Sequence, residues 1–296
     1  MLEDFEQYLV KEKRYSKHTC LAYIMDIEQF FEFAQIREHT KPNLQEISSK
    51  LVRAWLVSLL KNNLAPKSVN RKLSSNRGYF KYLMVHNAIS SNPFLAVHGP
   101  KVAKRLPEFI QKNEVEIQKV DALFENDLFG LRDRIIFETF YQTGIRLSEL
   151  IGIKESDVSS NGLRVLGKRN KERNIALGQS LFNQIQGLIQ AKLNSDVICN
   201  YVFFTDSGKK MYPKFVYRKI NYYLSNVTTI NRKSPHVMRH TFATHLLNEG
   251  VPIEVLKEIL GHASLAATQV YTHNSFEQIN SIYKSAHPRE HNPKNL

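Results

Sequence analysis

The 296-residue sequence has only two cysteines, no long apolar run, and long stretches without a carboxylate. Cys20 and Cys199 lie far apart and follow no metal-binding or redox spacing, so we expect two reduced thiols and no disulfide. A bilayer span needs ~18 consecutive apolar residues, and none is present. The acidic start, Met1–Asp4, differs from the basic start of a signal peptide. These absences predict a cytoplasmic protein.

Acidic residues are fewer than basic ones in the whole chain, and they are nearly absent from two long stretches of it. Lysine and arginine outnumber aspartate and glutamate by 41 to 28, which gives a net charge of +13. Between Ile47 and Pro107 there are eleven basic residues and no acidic one, and between Val197 and Asn248 there are eight basic residues against Asp206 alone. A solvated face normally mixes charges of both signs. The bias therefore predicts a polyanionic partner, nucleic acid, that both halves of the chain contact.

The hydrophobic pattern divides the chain into two domains. A Pro-rich and basic stretch separates a helical N-terminal domain from a larger, mostly helical domain that contains two strands. The predicted domains are 1–91 and 108–296, with a linker at 92–107. The predicted helices of the first domain are Glu3–Glu12, Thr19–Ala34, Ser48–Lys61 and Pro66–Val85, and the predicted strands of the second are Leu163–Gly167 and Arg173–Leu177.

The fourth predicted helix carries basic residues beside its apolar stripe. Pro66 suits the first helical position, and Asn76 falls on the stripe, where it needs a hydrogen-bond partner or partial exposure. The basic residues that leave this stripe, together with those of the linker and of the turn between the strands, are the predicted DNA contacts: Lys67, Arg71, Lys72, Lys101, Lys104, Arg105 and Arg169.

A short C-terminal block contains the residue types that suit a phosphoryl centre. His236 and Arg239 are three residues apart, so both lie on one face if the segment is helical. Arginine offers a rigid fork of donors for phosphate oxygens, and histidine donates hydrogen bonds or transfers protons. A tyrosine nine residues after His262, Tyr271, offers a phenolic oxygen for covalent attack. His236 and His240 also have metal-ligand spacing, but the intervening arginine would repel a cation, so we predict no metal site.

Three ordered motifs resemble those of the tyrosine recombinases of the phage integrase family, most closely the bacterial Xer-type recombinases. The first is Tyr141-Gln-Thr-Gly-Ile-Arg146-Leu-Ser-Glu-Leu150, and the second is Val165-Leu-Gly-Lys168-Arg-Asn-Lys-Glu-Arg173. The third runs Pro235-His-Val-Met-Arg-His-Thr-Phe-Ala-Thr-His245, then Leu260-Gly-His-Ala-Ser264, then Tyr271-Thr-His273. The resemblance covers nearly the whole chain. It implies a mainly α, two-domain C-clamp, in which a four-helix SAM-like DNA-binding domain joins a larger helical catalytic domain with a small β-hairpin.

The resemblance also implies catalytic roles. Arg146 and Arg239 bind the two non-bridging oxygens of the scissile phosphate, and His262 donates to the same oxygens. His236 takes the proton from the nucleophile Tyr271 or orients the phosphate, and Lys168 protonates the departing 5′-oxygen. Arg169, Lys171 and Arg173 are alternatives to Lys168 for that last role. Glu149 either supports His236 or pairs with another neighbour.

The function implied is site-specific DNA recombination through a 3′-phosphotyrosine and a Holliday junction, without metal, ATP or another cofactor. The expected partners are double-stranded site DNA, a tetramer of identical or related recombinases on two sites, and an FtsK-like DNA translocase in a bacterial nucleoid. Chromosome dimer resolution, integration of a mobile element and inversion share these residues. A type IB topoisomerase would share the tyrosine chemistry, and a non-catalytic DNA-binding protein would account for the charge alone. After Tyr271, four apolar residues at helical spacing form one edge of a C-terminal tail helix: Phe276, Ile279, Ile282 and Tyr283. This edge either packs on its own domain or docks into a neighbouring subunit.

Overall fold

The structure, a computed structural model, describes residues 1–38, 43–103, 108–167, 172–261, 283 and 285–289, with only the backbone described for residues 36–38. The chain forms two compact units, Met1–Arg105 and Leu106–Leu296. Each unit buries its own apolar core. The fold is mainly helical with one small sheet, as the sequence predicts.

Four helices are described in the first unit, and each overlaps a predicted segment. Two of them begin where the sequence offers a clear start signal. The side chain of Ser48 accepts a hydrogen bond from the amide of Leu51 at 3.3 Å, and Pro66 takes the first position of the fourth helix. The four helices are α1 Leu2–Lys11, α2 Lys17–Glu38, α3 Ser49–Lys61 and α4 Pro66–Val85.

Aromatic side chains form the centre of this unit. Phe30 from α2 contacts Trp55 from α3 and Phe94, with ring centroids 5.0 and 4.9 Å apart and the rings near edge-on. Phe80 from α4 lies 4.8 Å from Phe94. Each of these side chains is at most 2% exposed. Their burial fixes three helices around one apolar centre.

The prediction that Lys72 contacts DNA is wrong about where its side chain lies, because the side chain does not leave the apolar face of α4. It is 9% exposed, and its ammonium group donates to the carboxylate of Asp26 at 2.9 Å and to the side-chain oxygen of Gln29. Asp26 is itself buried and also receives hydrogen bonds from Arg71 and Ser75. A buried carboxylate needs such partners. Lys72 therefore belongs to an internal polar network, and it is removed from the predicted phosphate contacts.

Asn76 belongs to the same network. It is completely buried, and its amide nitrogen donates to the carbonyl oxygens of Asp26 and Lys72 at 3.1 and 3.0 Å. Of the two alternatives that the sequence left open, a hydrogen-bond partner or partial exposure, the structure has the first. The side-chain oxygen of Asn76 is buried without a partner among the described residues.

Seven helices and three strands are described in the second unit. The helices are α5 Ile117–Asp121, α6 Leu128–Thr143, α7 Leu147–Gly152, α8 Gln179–Leu193, α9 Pro213–Val227, α10 Pro235–Asn248 and α11 Ile253–Ile259. The strands are β1 Val158–Ser159, β2 Gly162–Leu166 and β3 Glu172–Ile175, and they form an antiparallel sheet in the order β1-β2-β3. The strands β2 and β3 match the predicted pair, whereas the two-residue β1 was not predicted.

The central helix of this unit is α6. The side chain of Asp127 caps its start by accepting from the amide of Gly130 at 2.6 Å. From Ile135 to Thr143 every residue is buried, and α6 packs against α8 and α10. It ends at Gly144, whose φ of 57° is left-handed. This turn delivers the chain directly to Arg146 at the start of α7.

Two residues one turn apart on α10 hold the chain where it enters the second unit. The amide of Ile110 donates to the hydroxyl of Thr241 at 3.0 Å, and its carbonyl accepts from Nε2 of His245 at 2.9 Å. With Nε2 as donor, Nδ1 of His245 accepts from the hydroxyl of Tyr141 on α6 at 3.2 Å. Burial lowers the pKa of His245, which keeps the ring neutral. These contacts fix the position of α10 and of the arginine it carries.

The described part of the C-terminal tail lies against its own unit. Tyr283 and Ala286 are buried with Phe242 and other residues of α10 and α11. Arg289 forms two hydrogen bonds with the carboxylate of Glu138 on α6, at 2.7 and 3.1 Å, and both residues are buried. Phe276, Ile279 and Ile282 lie outside the described residues.

Candidate active site

Three of the six predicted catalytic residues lie within the described part of the chain, namely Arg146, His236 and Arg239. The remaining three, and three of the predicted DNA contacts, lie outside it: Lys168, His262, Tyr271, Lys104, Arg105 and Arg169. The described site is therefore built from α7, α10 and the end of α11. Gly261 is the last described residue of that segment, and His262 follows it in the sequence.

Arg146 occupies the cap position of α7 and is partly exposed. Its amide donates to one carboxylate oxygen of Glu149 at 2.9 Å, and its guanidinium donates to the other at 2.8 Å. The second arm of the guanidinium donates to the carbonyl oxygen of Gly261 at 2.8 Å. The fork is thus oriented on one side by a carboxylate and on the other by the turn after α11.

Arg239 reaches the same turn from α10. It is buried, and its guanidinium donates to the carbonyl oxygens of Gly144 and of Leu260, the latter at 2.6 Å. Burial, and then the positive charges of Arg146 and Arg173, lower the pKa of Arg239 to about 10. The group remains cationic at neutral pH. The positive charges of Arg146 and Arg173, which contribute to this shift after burial, would attract an added anion.

Arg146 and Arg239 therefore donate to the carbonyl oxygens of consecutive residues, Gly261 and Leu260. The two guanidinium groups, which come from different helices, are therefore held at the same turn. These carbonyls follow the C-terminal end of α11, where the helix dipole is negative and backbone acceptors lack helical partners. That both arginines bind the non-bridging oxygens of one phosphate stays a prediction.

Two glycines make this convergence possible. Gly144 and Gly261 have left-handed φ angles of 57° and 61°, a conformation that residues with a Cβ atom rarely adopt. A Cβ atom at Gly144 would lie 2.4 Å from a ring carbon of Phe242. A Cβ atom at Gly261 would lie 2.9 Å from the Cδ atom of Arg173. Both glycines offer their carbonyl oxygens to the catalytic-type arginines.

Glu149 resolves one question that the sequence left open. Its side chain is 1% exposed, and its partners in the described part of the chain are Arg146 and Arg173. Burial alone would raise the pKa of this carboxyl group, but the hydrogen bonds and charges of Arg173 and Arg146 bring it below its ordinary value. Glu149 thus pairs with neighbouring cations. The described contacts include none between Glu149 and His236.

His236 lies in the first turn of α10 and is exposed. The side chain of Ser234 caps this helix by accepting from the amide of Val237 at 3.4 Å, and Pro235 holds its first position. His236 and Arg239 are three positions apart in this helix, so both share one helical face, as the sequence predicts. The pKa of the neighbouring His240 is lowered by burial and then by the charge of His236.

From the sequence, Arg173 is only an alternative to Lys168 as the residue that protonates the departing 5′-oxygen. In the structure it lies on β3, where it pairs with Val165 and shares the inner face of the sheet with Ile175. Its guanidinium donates to both carboxylate oxygens of Glu149, at 3.0 and 3.4 Å, and to the carbonyl oxygen of Ile259 at 2.7 Å. The alternation of side chains along a strand could have predicted that Arg173 faces inward, because it places Arg173 on the same face as Ile175.

The predicted DNA contacts of the first unit that remain are Lys67, Arg71 and Lys101. Lys67 and Lys101 are exposed. Arg71 has a side chain that is 46% exposed while its guanidinium pairs with Asp26. All three are accessible to a phosphate.

Comparisons with known proteins identify the family of the chain. Residues 103–278 match the phage integrase family, and residues 2–87 match the phage integrase N-terminal SAM-like domain. Two relatives are each called tyrosine recombinase XerC. The chain is 38% identical to that of Staphylococcus saprophyticus, over 95% of each chain, and 35% identical to that of Halalkalibacterium halodurans, over 96% of each chain.

A solved structure shares the fold. The XerH site-specific recombinase, bound to difH substrate in a pre-cleavage complex, superposes with a TM-score of 0.67 at 21% identity. The match covers 95% of this chain and 84% of that one.

The family match over the second unit and the two relatives define an enzyme of the tyrosine recombinase class. The chain belongs to the phage integrase family, since the two family matches together, and each of the two relatives, extend over most of its length. In the part that the structure describes, every helix is too short or too polar to span a membrane.

Proposed function

We propose that this chain cuts and rejoins DNA at a specific site through a covalent bond between Tyr271 and a 3′-phosphate. The phenolic oxygen attacks phosphorus, the bond to the 5′-oxygen breaks, and Lys168 protonates that leaving oxygen. Rejoining reverses these steps with a new 5′-hydroxyl as nucleophile. The phosphotyrosine retains the free energy of the phosphodiester, so the cycle needs no ATP.

The observation that supports this proposal most strongly is the meeting of Arg146 and Arg239 at the carbonyls of Gly261 and Leu260. Attack on a phosphodiester adds negative charge to the non-bridging oxygens, and prepositioned cations stabilise that charge. Arg239 would exchange a carbonyl partner for a phosphate oxygen, and Arg146 would exchange its contacts with Gly261 and Glu149. Because Gly261 directly precedes His262, the same turn would bring the histidine to the phosphate as a further donor.

His236 acts on the nucleophile or on the phosphate from the exposed first turn of α10. As a base it takes the phenolic proton of Tyr271, and as a donor it orients a phosphate oxygen. The pH dependence of cleavage distinguishes these roles. Replacing His236 by a lysine removes a neutral base while keeping a donor, so activity survives only in the second case.

The substrate in this proposal is a double-stranded recombination site. The basic residues of both units and the XerC and XerH names of the relatives support it. We further propose a tetramer, alone or with a related recombinase, that exchanges strands in pairs through a Holliday junction. Chromosome dimer resolution under an FtsK-like translocase is the biological role that the XerC names favour over integration or inversion of a mobile element.

A nicked suicide substrate tests the chemistry. The protein should form a covalent adduct with the 3′-end in the presence of EDTA, and Tyr271→Phe should bind the site but form none. The matched control is Tyr222→Phe, which alters an exposed tyrosine on α9 and should leave adduct formation unchanged. An adduct that survives in Tyr271→Phe would remove that residue from the role of nucleophile. Relaxation of supercoils without junction formation would indicate a topoisomerase.

A further inference from the structure

Arg173 is the third guanidinium at the end of α11 and has no role in the proposed chemistry. It is held on β3, whereas Arg146 starts α7 and Arg239 lies on α10. Its three hydrogen bonds join the carboxylate of Glu149 to the carbonyl oxygen of Ile259. Thus one arginine connects the sheet, α7 and α11, next to the turn whose carbonyls accept from Arg146 and Arg239.

The sharing of Glu149 is the decisive feature. This carboxylate is 1% exposed and pairs with Arg146 through one oxygen and with Arg173 through both. A buried carboxylate that loses its only cationic partner is strongly destabilised. With Arg173 in place, Arg146 is able to leave Glu149 for a phosphate oxygen while the carboxylate keeps a cationic partner.

Arg173 also packs against the turn that leads to His262. A Cβ atom on Gly261 would lie 2.9 Å from its Cδ atom and 3.0 Å from its Nε atom, so the arginine covers that glycine directly. The neighbouring carbonyl of Ile259 accepts from its guanidinium at 2.7 Å. The turn whose carbonyls receive Arg146 and Arg239 is therefore fixed by Arg173 from behind.

We propose that Arg173 is a positioning residue that neutralises Glu149 and clamps the Ile259–Gly261 turn, so that Arg146 is released to bind the scissile phosphate. This role rests on the proposed function, because it concerns the same phosphate. Arg173 itself does not touch the substrate. Its effect passes through Glu149 and the turn.

Single-turnover cleavage of the suicide substrate at saturating protein tests this role. We expect Arg173→Met to bind the site within threefold of the wild-type affinity and to cleave at least tenfold more slowly. The matched control is Arg164→Met on the adjacent strand, where the arginine pairs with Asp157 and is 54% exposed. This control should cleave at the wild-type rate.

A second substitution separates positioning from simple loss of structure. Glu149→Gln removes the negative charge but keeps an oxygen that accepts from the amide of Arg146. We expect Glu149→Gln to recover at least fivefold of the rate lost in Arg173→Met, because no buried carboxylate then retains Arg146. Slowing that multiplies in the double variant would overturn the proposal, and so would a wild-type rate in Arg173→Met.

Hydrogen exchange of residues 253–261 without DNA tests the clamp independently of cleavage. Arg173→Met should exchange faster there than the wild type, and Arg164→Met should not. If the wild type forms no adduct but Arg173→Met loosens this segment, the proposed function fails and the clamp stands. If exchange in Arg173→Met equals that of the wild type, the clamp is overturned even where an adduct forms.

Discussion

Arg146 and Arg239 donate hydrogen bonds to neighbouring peptide carbonyls, at 2.8 and 2.6 Å, although they come from different helices. The same guanidinium donors suit the oxygens of a phosphate. A backbone turn thus orients both guanidinium groups before substrate arrives. Prepositioning of this kind lowers the reorganisation required in the transition state.

Replacing Arg239 by lysine should reduce cleavage by ~10²–10³-fold, as expected for the loss of one donor to a developing oxyanion. A lysine ammonium is a compact point charge and does not span the carbonyls of Gly144 and Leu260 as the guanidinium does. Single-turnover cleavage measures this effect. The control is the exposed Arg232→Lys, and equal rates for both variants would contradict the assignment.

Gly261→Ala should impair cleavage and destabilise the second unit. The left-handed φ of 61° costs an alanine ~1–2 kcal/mol, and the added Cβ atom would displace Arg173. Thermal unfolding and adduct formation report the two effects. Gly187→Ala is the matched control, because Gly187 lies in α8 with nothing within 4 Å of the added atom. It should stabilise by ~0.5–1 kcal/mol and leave cleavage unchanged.

Lys67 and Lys72 should respond differently to the same substitution. Lys67→Met should weaken DNA binding and lower the slope of log K against log salt by ~0.9, because an exposed phosphate contact is lost. Lys72→Met should instead lower the free energy of unfolding by ~1–3 kcal/mol, because the buried Asp26 loses one charged hydrogen-bond donor and keeps Arg71. Salt-dependent binding and urea unfolding measure these effects. A stable Lys72→Met with a reduced salt slope would contradict the burial of Lys72.

Acid should release the described tail segment. Burial lowers the pKa of His287 to about 3, whereas a free imidazole titrates near 6.5. The docked ring stays neutral while the released ring binds a proton. Docking stability is therefore complete above pH ~6.5 and falls by ~1.4 kcal/mol per pH unit as the pH drops from ~6.5 toward 3.

Hydrogen exchange at residues 285–289, corrected for intrinsic rates, should show protection at pH 7.5 and its loss near pH 5. His287→Gln should show a smaller pH effect, and the remainder would come from His245, whose pKa is lowered in the same direction. Equal protection at both pH values in the wild type would contradict this prediction.

The sequence predicted local structure well where start and stop signals are local. Pro66 and the apolar stripe predicted α4 at both ends, and the alternation of the hairpin predicted β2 and β3. The two-residue β1 was not predicted because it is too short to show alternation. The pairing of residues distant in sequence was also inaccessible to local patterns.

Lys72 shows this limit most clearly. Its position beside Leu73 made it a surface residue by helical spacing, but Asp26 on another helix draws it inward. Arg173 shows the same limit at the site, since its partners Glu149 and Ile259 come from α7 and α11. Arg146 and Arg239 were predicted because the motifs that carry them resemble a known family. Their shared turn emerged only from the fold.

The structure of Tyr271→Phe bound to uncleaved site DNA is the most direct test of the central claim. In this complex, the non-bridging oxygens of one scissile phosphate should lie within hydrogen-bond distance of both Arg146 and Arg239. Arg173 should keep its hydrogen bonds with Glu149. A bound duplex in which the two guanidinium groups contact different phosphates, or stay on Leu260 and Gly261, would contradict it.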